Sequence, residues 1–317
     1  MRNLYMMNNP EVFQGEKYLD SNKDYFEGWY FKNIGKDEGI SFIPGISISS
    51  KEKRCFIQVI TNDSSWFIDF DINDFEYNYE PFWIRIGNNY FSKERVHIDI
   101  IDKQLDIVIK GDLKYKNSIS IKRKLLSPNI MGIFSYIPFM QCNHCILSMK
   151  SNVEGIISIN DKNIEIFNGT GYIEKDFGVS FPKYYVWGQG NNFNDKNVSF
   201  FVSIADIYFK LFSFRGFICS LIINNKEYRF ATYNNSKILK YEIKDNGYEL
   251  VLKKGKYILE IESLNNDGFM LKAPVNGNMD KEILESINGI IKVTLKKNKK
   301  VIFSDESCNC GLEIVNE

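Results

Sequence analysis

Gly169-Thr-Gly-Tyr-Ile-Glu-Lys-Asp-Phe-Gly-Val-Ser-Phe-Pro-Lys-Tyr-Tyr-Val-Trp-Gly-Gln-Gly-Asn-Asn-Phe193 sets the reading of the whole chain. Glu174, Lys175 and Asp176 stand between glycines of the kind that punctuate strands. On an extended backbone Tyr172, Glu174 and Asp176 share one face and Lys175 takes the other. After Pro182 the same period of two places Tyr185, Trp187, Gln189, Asn191 and Phe193 together, opposite Val186, Gly188 and Gly190. Aromatic walls with a few placed amides suit the lining of a pocket, and they suit a wet sheet face equally well.

That alternation recurs along the chain. Ile68, Phe70 and Ile72 alternate with Asp69 and Asp71, Val96, Ile98 and Ile100 with His97 and Asp99, and Ile164 and Ile166 with Glu165. Hairpin signals separate the runs at Asn224-Asn225, Asn246-Gly247, Asp267-Gly268 and around Asn298. One short helix is expected from about Met279 to Ile287, where Ile283, Leu284 and Ile287 fall on one face. The fold class is therefore all-β, built of antiparallel sandwiches or up-and-down barrels. Between Leu125 and Gln141 the alternation stops: Ser127-Pro128-Asn129 is loop chemistry, and Ile130 to Met140 is apolar with Gly132 and Pro138 inside it. This reads as a crossover at about 126–140 joining a domain over 1–140 to another over 141–317.

Composition narrows the function classes. Forty basic residues balance forty acidic ones, which leaves no electrostatic footprint for nucleic acid. The 25 Phe and 18 Tyr supply β-sheet cores and, where a few are spared, walls for a greasy ligand. The N-terminal residues show no secretion signal, and six cysteines in such a chain point to a reducing, cytoplasmic setting. The longest apolar region, Val198 to Ile223, is broken by Asp206, Lys210, Arg215 and Gly216 and reads as two strands. Its connection, residues 208–217, is greasy enough to be a candidate for peripheral membrane contact. Cys142-Asn-His-Cys145 is half a zinc site and Cys308-Asn-Cys310 a tight terminal pair, so no metal is expected. Gly188-Gln-Gly190 lacks the rest of a dinucleotide fingerprint, and no Gly-x-Ser-x-Gly elbow accompanies the two histidines, His97 and His144. His97 alternates with core residues and is expected at the surface.

Three segments carry a resemblance: Tyr25-Phe-Glu-Gly-Trp-Tyr-Phe-Lys32, Leu126-Ser-Pro-Asn-Ile-Met-Gly-Ile-Phe-Ser-Tyr-Ile-Pro-Phe-Met140, and the opening stretch with Gly171 to Gly178, Ser180-Phe-Pro182 and Trp187-x-Gln-x-Asn-x-Phe193. With residues 202–233 and the ending Gly311-Leu-Glu-Ile-Val315, the chain resembles the tocopherol cyclase family, specifically its bacterial members, over nearly its full length. The resemblance implies two consecutive lipocalin-like (calycin-type) β-barrels or sandwiches with a pocket where they meet. It implies acid-catalysed ring closure of a prenylated hydroquinone, in which an acid protonates the alkene and the phenol oxygen captures the cation. Distant relatives of similar fold include hydratases and pericyclic cyclases. The chain departs from the family pattern at Gln141, where a carboxylate is expected, and at Phe177 and Tyr185, where Trp is common.

Alkene protonation needs a carboxylic acid kept neutral by burial among apolar groups. Glu27, flanked by Tyr25 and Trp29 on its face, Glu174 and Asp176 are the candidate acids, with His144 as acid or hydrogen-bond partner. A salt bridge is the structural alternative for each carboxylate. Trp29, Tyr30, Tyr172, Trp187 and Phe193 are candidate walls able to face a carbocation, and Gln189 and Asn191 would orient hydroxyls. The expected partner is a hydrophobic small molecule such as a prenyl quinol or isoprenoid, with no cofactor, because only a proton moves. The alternative is a lipocalin-like carrier that performs no chemistry, a reading Gln141 favours.

Overall fold

A computed structural model describes residues 5–6, 8–36, 38–137, 140–209, 212–264 and 268–316. The architecture is all-β, in two large sheets. The first holds β1 (Tyr25–Ile34), β2 (Gly39–Ile48), β3 (Lys53–Thr61), β4 (Ser65–Asp71), β5 (Phe75–Tyr79), β6 (Phe82–Ile86), β7 (Asn89–Phe91), β8 (Arg95–Asp102), β9 (Ile107–Ile119), β10 (Cys142–Ile159) and β11 (Lys162–Gly178). The second holds β12 (Tyr185–Gly190), β13 (Val198–Phe209), β14 (Phe212–Ile223), β15 (Lys226–Ala231), β16 (Lys237–Lys244), β17 (Gly247–Lys254), β18 (Tyr257–Leu264), β20 (Asn278–Lys297) and β21 (Lys300–Val315), with β19 (Phe269–Val275) paired to β20.

Both sheets follow one plan. The strand orders are β4-β3-β2-β1-β11-β10-β9-β8-β7-β6-β5 and β15-β14-β13-β12-β21-β20-β18-β17-β16. In each, the opening strand pairs with the closing one, and the two edge strands are consecutive in sequence. A single turn of 3₁₀ helix joins those edges, Ile72–Asp74 in the first sheet and Thr232–Asn234 in the second. So short a link draws the two edges together and curls each sheet toward a barrel.

The division expected at residue 140 is corrected by this topology. β10 and β11 complete the first sheet, so the first compact unit comprises 1–131, 135–181 and 271–282, and the second 132–134, 182–270 and 283–317. The physical reason is closure: β1 leaves its own hairpin with one unpaired edge, and β11 is the strand that satisfies it.

The helix expected at 279–287 is also corrected. Those residues lie in β20, and Leu284 is exposed while Ile283 and Ile287 are buried, so the three do not share a face. Asn276 and Gly277 both have positive φ and form the two-residue turn between β19 and β20, which sets the following residues extended. Strand pairing then outweighs a weak local helical period. Turns expected at Asn224-Asn225 and at Asn298 have the left-handed backbone those residues tolerate. Asp267 lies outside the described residues, as do Pro138, Phe139, Lys210 and Leu211.

Each unit has its own apolar core. In the first, Trp29, Phe31, Phe42, Phe91, Leu147 and Ile173 point inward. Residues 10–19 add to it: Phe13 packs on Phe75 and Tyr77, and the Trp29 indole donates to the Glu11 carbonyl (2.8 Å). In the second, Val186, Phe200, Val202, Tyr248, Ile291 and Leu312 fill the interior. The greasy stretch 208–217 belongs to the β13–β14 hairpin, with Asp206 opposite Arg215 and Tyr208 opposite Ser213. Among the described residues no helix is long and apolar enough to cross a membrane.

Candidate active site

Strand alternation sorts the candidate acids onto two faces of the first sheet. Tyr25, Glu27 and Trp29 of β1 point into the core, as does Lys175 of β11. Gly28, Tyr30 and Lys32 of β1, together with Tyr172, Glu174 and Asp176 of β11, belong to the opposite face. The opening stretch therefore carries two separate charged centres rather than one.

The inner centre is a fully buried ion pair. Lys175 Nζ lies 2.5 Å from Glu27 Oε1 and donates to the carbonyls of Pro10 (3.0 Å) and Val12 (2.6 Å). It also lies 5.0 Å from the ring centroids of Trp29 and Phe177. The Glu27 carboxylate accepts the Gln14 N–H at 3.0 Å on both oxygens and the Tyr25 hydroxyl at 2.5 Å. Every strong donor around Glu27 is thus engaged, and the pair anchors residues 10–14 inside the sheet. Glu27 takes its salt-bridged alternative, and Trp29 is a core ring stacked on Phe75 and Phe82.

The outer centre is assembled by register. β10 sets His144 directly opposite Asp176, and β1 sets Gly28 and Tyr30 opposite Asp176 and Glu174. His144 Nδ1 is 2.9 Å from Asp176 Oδ1, and Nε2 is 3.4 Å from Glu174 Oε2. The Tyr172 hydroxyl donates to Glu174 Oε2 at 2.5 Å, and its ring meets Tyr30 edge to face at 6.4 Å. Burial, reinforced by the Glu174 charge, pushes the Tyr172 phenol well above its ordinary value, so it stays a donor. Burial and the Asp176 charge do the same to the Cys142 thiol, whose sulfur lies 3.7 Å from Asp176. Asp176 is the least covered of the three, with 20% of its side chain accessible against 11% for His144 and 6% for Glu174.

Gly28 also lies on this face, and a glycine inside an aromatic strand is a signal of close approach. A Cβ on Gly28 would lie 3.8 Å from Ile43 and from the Pro44 carbonyl, ordinary contact distances, so a methyl group is accommodated there. Gly28 stands directly opposite Asp176 in the register of β1 and β11. Gln141 is a loop clamp: its amide donates to the Phe181 carbonyl (3.1 Å), and its own carbonyl accepts from Val179 N (2.9 Å) and Ser180 N (3.3 Å). A carboxylate at that position has no proton to give to Phe181 unless it stays protonated.

His144, Glu174 and Asp176 are also the group among the described residues whose ligand atoms, within 4.8 Å of one another, suit a metal ion. The imidazole turns one nitrogen to each carboxylate, however, whereas a metal would take a single nitrogen together with both acids. Cys145 faces the core, where burial pushes its thiol up to about 12.

In the second unit Trp187 and Gln189 are buried on the face of β12 opposite Gly188, whose Cβ would meet the Tyr248 hydroxyl inside the core. Asn191 is buried just past the strand end. Phe193 departs from the expected shared face: β12 ends at Gly190, and Phe193 turns into the core against Phe303. Tyr185 donates to Glu313 (2.6 Å) and borders a cleft of about 140 Å³ with Tyr184, Asp206, Arg215 and Tyr241. That volume is below the few hundred Å³ a prenylated ring would need.

Fold comparison places this arrangement among solved structures. CghA superposes with a TM-score of 0.59 at 10% identity, covering 92% of this chain and 88% of that one, and the CghA structure with Sch210972 gives the same figures. Kievitone hydratase from Nectria haematococca superposes with a TM-score of 0.52 at 9% identity, covering 96% and 93%. At such identities the likeness is one of fold. Among curated proteins no sequence matches. The family described as tocopherol cyclase-like matches residues 121–315, more than half the chain, which includes β10, β11 and β12 with the His144, Glu174 and Asp176 cluster. The chain belongs to the tocopherol cyclase-like family.

Proposed function

We propose that the protein is a cyclase- or hydratase-type enzyme that protonates an alkene of a hydrophobic, prenylated substrate. The observation that carries this reading is His144 held between Asp176 and Glu174 on a buried sheet face. Asp176 is the terminal acid, because it is the least covered of the three and so the one a substrate can reach. His144 passes protons to and from it, and Tyr172 holds Glu174 in place as the second acceptor. Proton transfer to the alkene generates a tertiary cation. Capture by the substrate's own phenol oxygen closes a ring, and the phenol proton returns through Asp176 to His144. No atom is gained or lost. Capture by water instead gives a hydratase, with the same first step. Tyr30 and Tyr172 offer ring edges and faces close to the acid, each worth roughly 0.5–2 kcal/mol to a well-placed cation.

Incubating the protein with a panel of prenyl hydroquinones in deuterated water tests this. Deuterium at the former alkene carbon of a ring-closed or hydrated product is the expected result, and Asp176→Asn should lose it. Tight ligand retention without deuterium incorporation would sink the catalytic reading and leave the hydrophobic carrier. Gln141 is what favours that second reading, since an amide stands where relatives are expected to hold an acid.

A further inference from the structure

The chain carries no net charge, yet its charges are not evenly spread. From Leu113 to Val153 there is no Asp or Glu, while Lys114, Lys116, Lys122, Arg123, Lys124 and Lys150 all fall within that span. Five of those six cluster before Leu125, and these five are exposed. Some are partly engaged: Lys116 lies 3.9 Å from Glu154, and Arg123 donates to the Asn8 carbonyl (3.1 Å) and lies 3.9 Å from Glu11. The basic run ends in a tight turn. Lys124 and Ser127 exchange backbone hydrogen bonds in both directions, at 2.9 and 2.8 Å, so Leu125 and Leu126 form the tip of a two-residue hairpin loop.

Such a tip ordinarily holds Gly, Asn or Asp. Here two leucines project, 82% and 72% accessible, the most exposed large apolar side chains among the described residues. Tyr136, itself partly exposed, donates its hydroxyl to the Leu125 carbonyl and braces the turn, and Ile137 beside it is exposed as well. Leucines at the apex, a tyrosine at the base and lysines behind it follow the order of a bilayer interface: acyl region, carbonyl belt, anionic headgroups. We infer that the Lys122–Ser127 hairpin is a membrane-docking tip that inserts Leu125 and Leu126 into an anionic bilayer while Lys122 and Lys124 engage its headgroups. This moves the membrane contact away from residues 208–217, where Tyr208 is exposed but Phe217 is buried and the strands are paired. It goes beyond the reaction proposed above and holds for an enzyme or a carrier alike.

Flotation of the full-length protein with vesicles of phosphatidylcholine, with and without phosphatidylserine, tests the proposal. Binding should favour the phosphatidylserine vesicles and weaken as salt is raised. L125S/L126S should lower the bound fraction about tenfold or more. K122Q/K124Q should abolish the preference for phosphatidylserine. Both variants should melt like the wild type, since the altered side chains are exposed. A wild type that floats with neither vesicle, or an L125S/L126S variant that floats unchanged, would overturn the inference. So would loss of flotation in Tyr208→Ser alone, or a concentration-dependent dimer that L125S/L126S dissolves without any vesicle binding. None of these outcomes touches the deuterium experiment, so the two proposals fail separately.

Discussion

Replacing Lys175 with Met would leave the Glu27 carboxylate inside a closed apolar core with no counter-charge. Breaking one side of a buried pair typically costs about 3–5 kcal/mol, because the orphaned charge keeps its full desolvation penalty. Chemical denaturation of Lys175→Met and of Glu27→Gln should show losses of that order, and the double variant should recover part of them. Asp176→Asn predicts the opposite profile. Its side chain is partly accessible, so the fold should melt nearly as the wild type, while turnover falls about a hundred- to ten-thousand-fold, the usual worth of a positioned proton donor. Gly28→Ala should fold as well, given the 3.8 Å approach of its methyl to Ile43 and Pro44, and raise KM before it loses stability. An unchanged KM in that variant would remove Gly28 from the site. Alternation alone placed Lys175 opposite Glu174 and Asp176, and put Glu27 with Trp29; both assignments needed only the period of two. Which face was core, and that the carbonyls of Pro10 and Val12 would complete the Lys175 shell, depended on contacts 160 residues and more apart in the chain.

The hairpin at Asn276-Gly277 illustrates how a short local signal decides an element. Gly277 has φ +75°, and a Cβ there would meet the Ile48 carbonyl oxygen and the Tyr25 nitrogen. Gly277→Ala should therefore destabilise the first unit by about 2 kcal/mol or more, read from the denaturation midpoint. Asn276-Gly277, a turn signal the sequence reading passed over, sets a turn into a strand, whereas the spacing of Ile283, Leu284 and Ile287 pointed to a helix. The local rule with a steric basis prevailed over the periodic one. The N-terminal segment is a second case. Burial, the largest single influence, would raise the Glu11 carboxyl, but the hydrogen bond and charge of Lys93 (2.8 Å), its own backbone N–H and the Arg123 charge together outweigh burial and hold it below the ordinary 4.5. Since the folded value lies below the unfolded one, this contribution is complete above about pH 4.5 and disappears as pH falls through the folded value. Urea midpoints of Glu11→Gln should consequently vary less than those of the wild type between about pH 5 and 3.

Across the whole molecule six cysteines remain as free thiols. Cys308 is exposed, while burial pushes Cys55 and Cys145 up to about 12 and raises Cys142 and Cys219 too. A chromogenic disulfide reagent should therefore titrate one thiol rapidly in the native protein and six after unfolding. Two fast thiols in the native state would show that the half-buried Cys142, despite its raised thiol, is open to reagent. The same view shows one strand plan used twice, with a 3₁₀ turn joining the edges each time. Closure asks only for alternation and turn chemistry, and many sequences supply both.

Residue order and side-chain type were sufficient for the all-β class, for most hairpin turns and for the facing of Tyr172, Glu174 and Asp176, because each depends on neighbours one to four positions away. Pairing of β1 with β11, the run of the first unit to residue 181, the capture of Glu27 by Lys175 and the meeting of His144 with Asp176 arose only on folding. Those depend on which distant strand satisfies an open edge, a choice made by the sum of backbone hydrogen bonds and buried area over the whole sheet rather than by any local stretch.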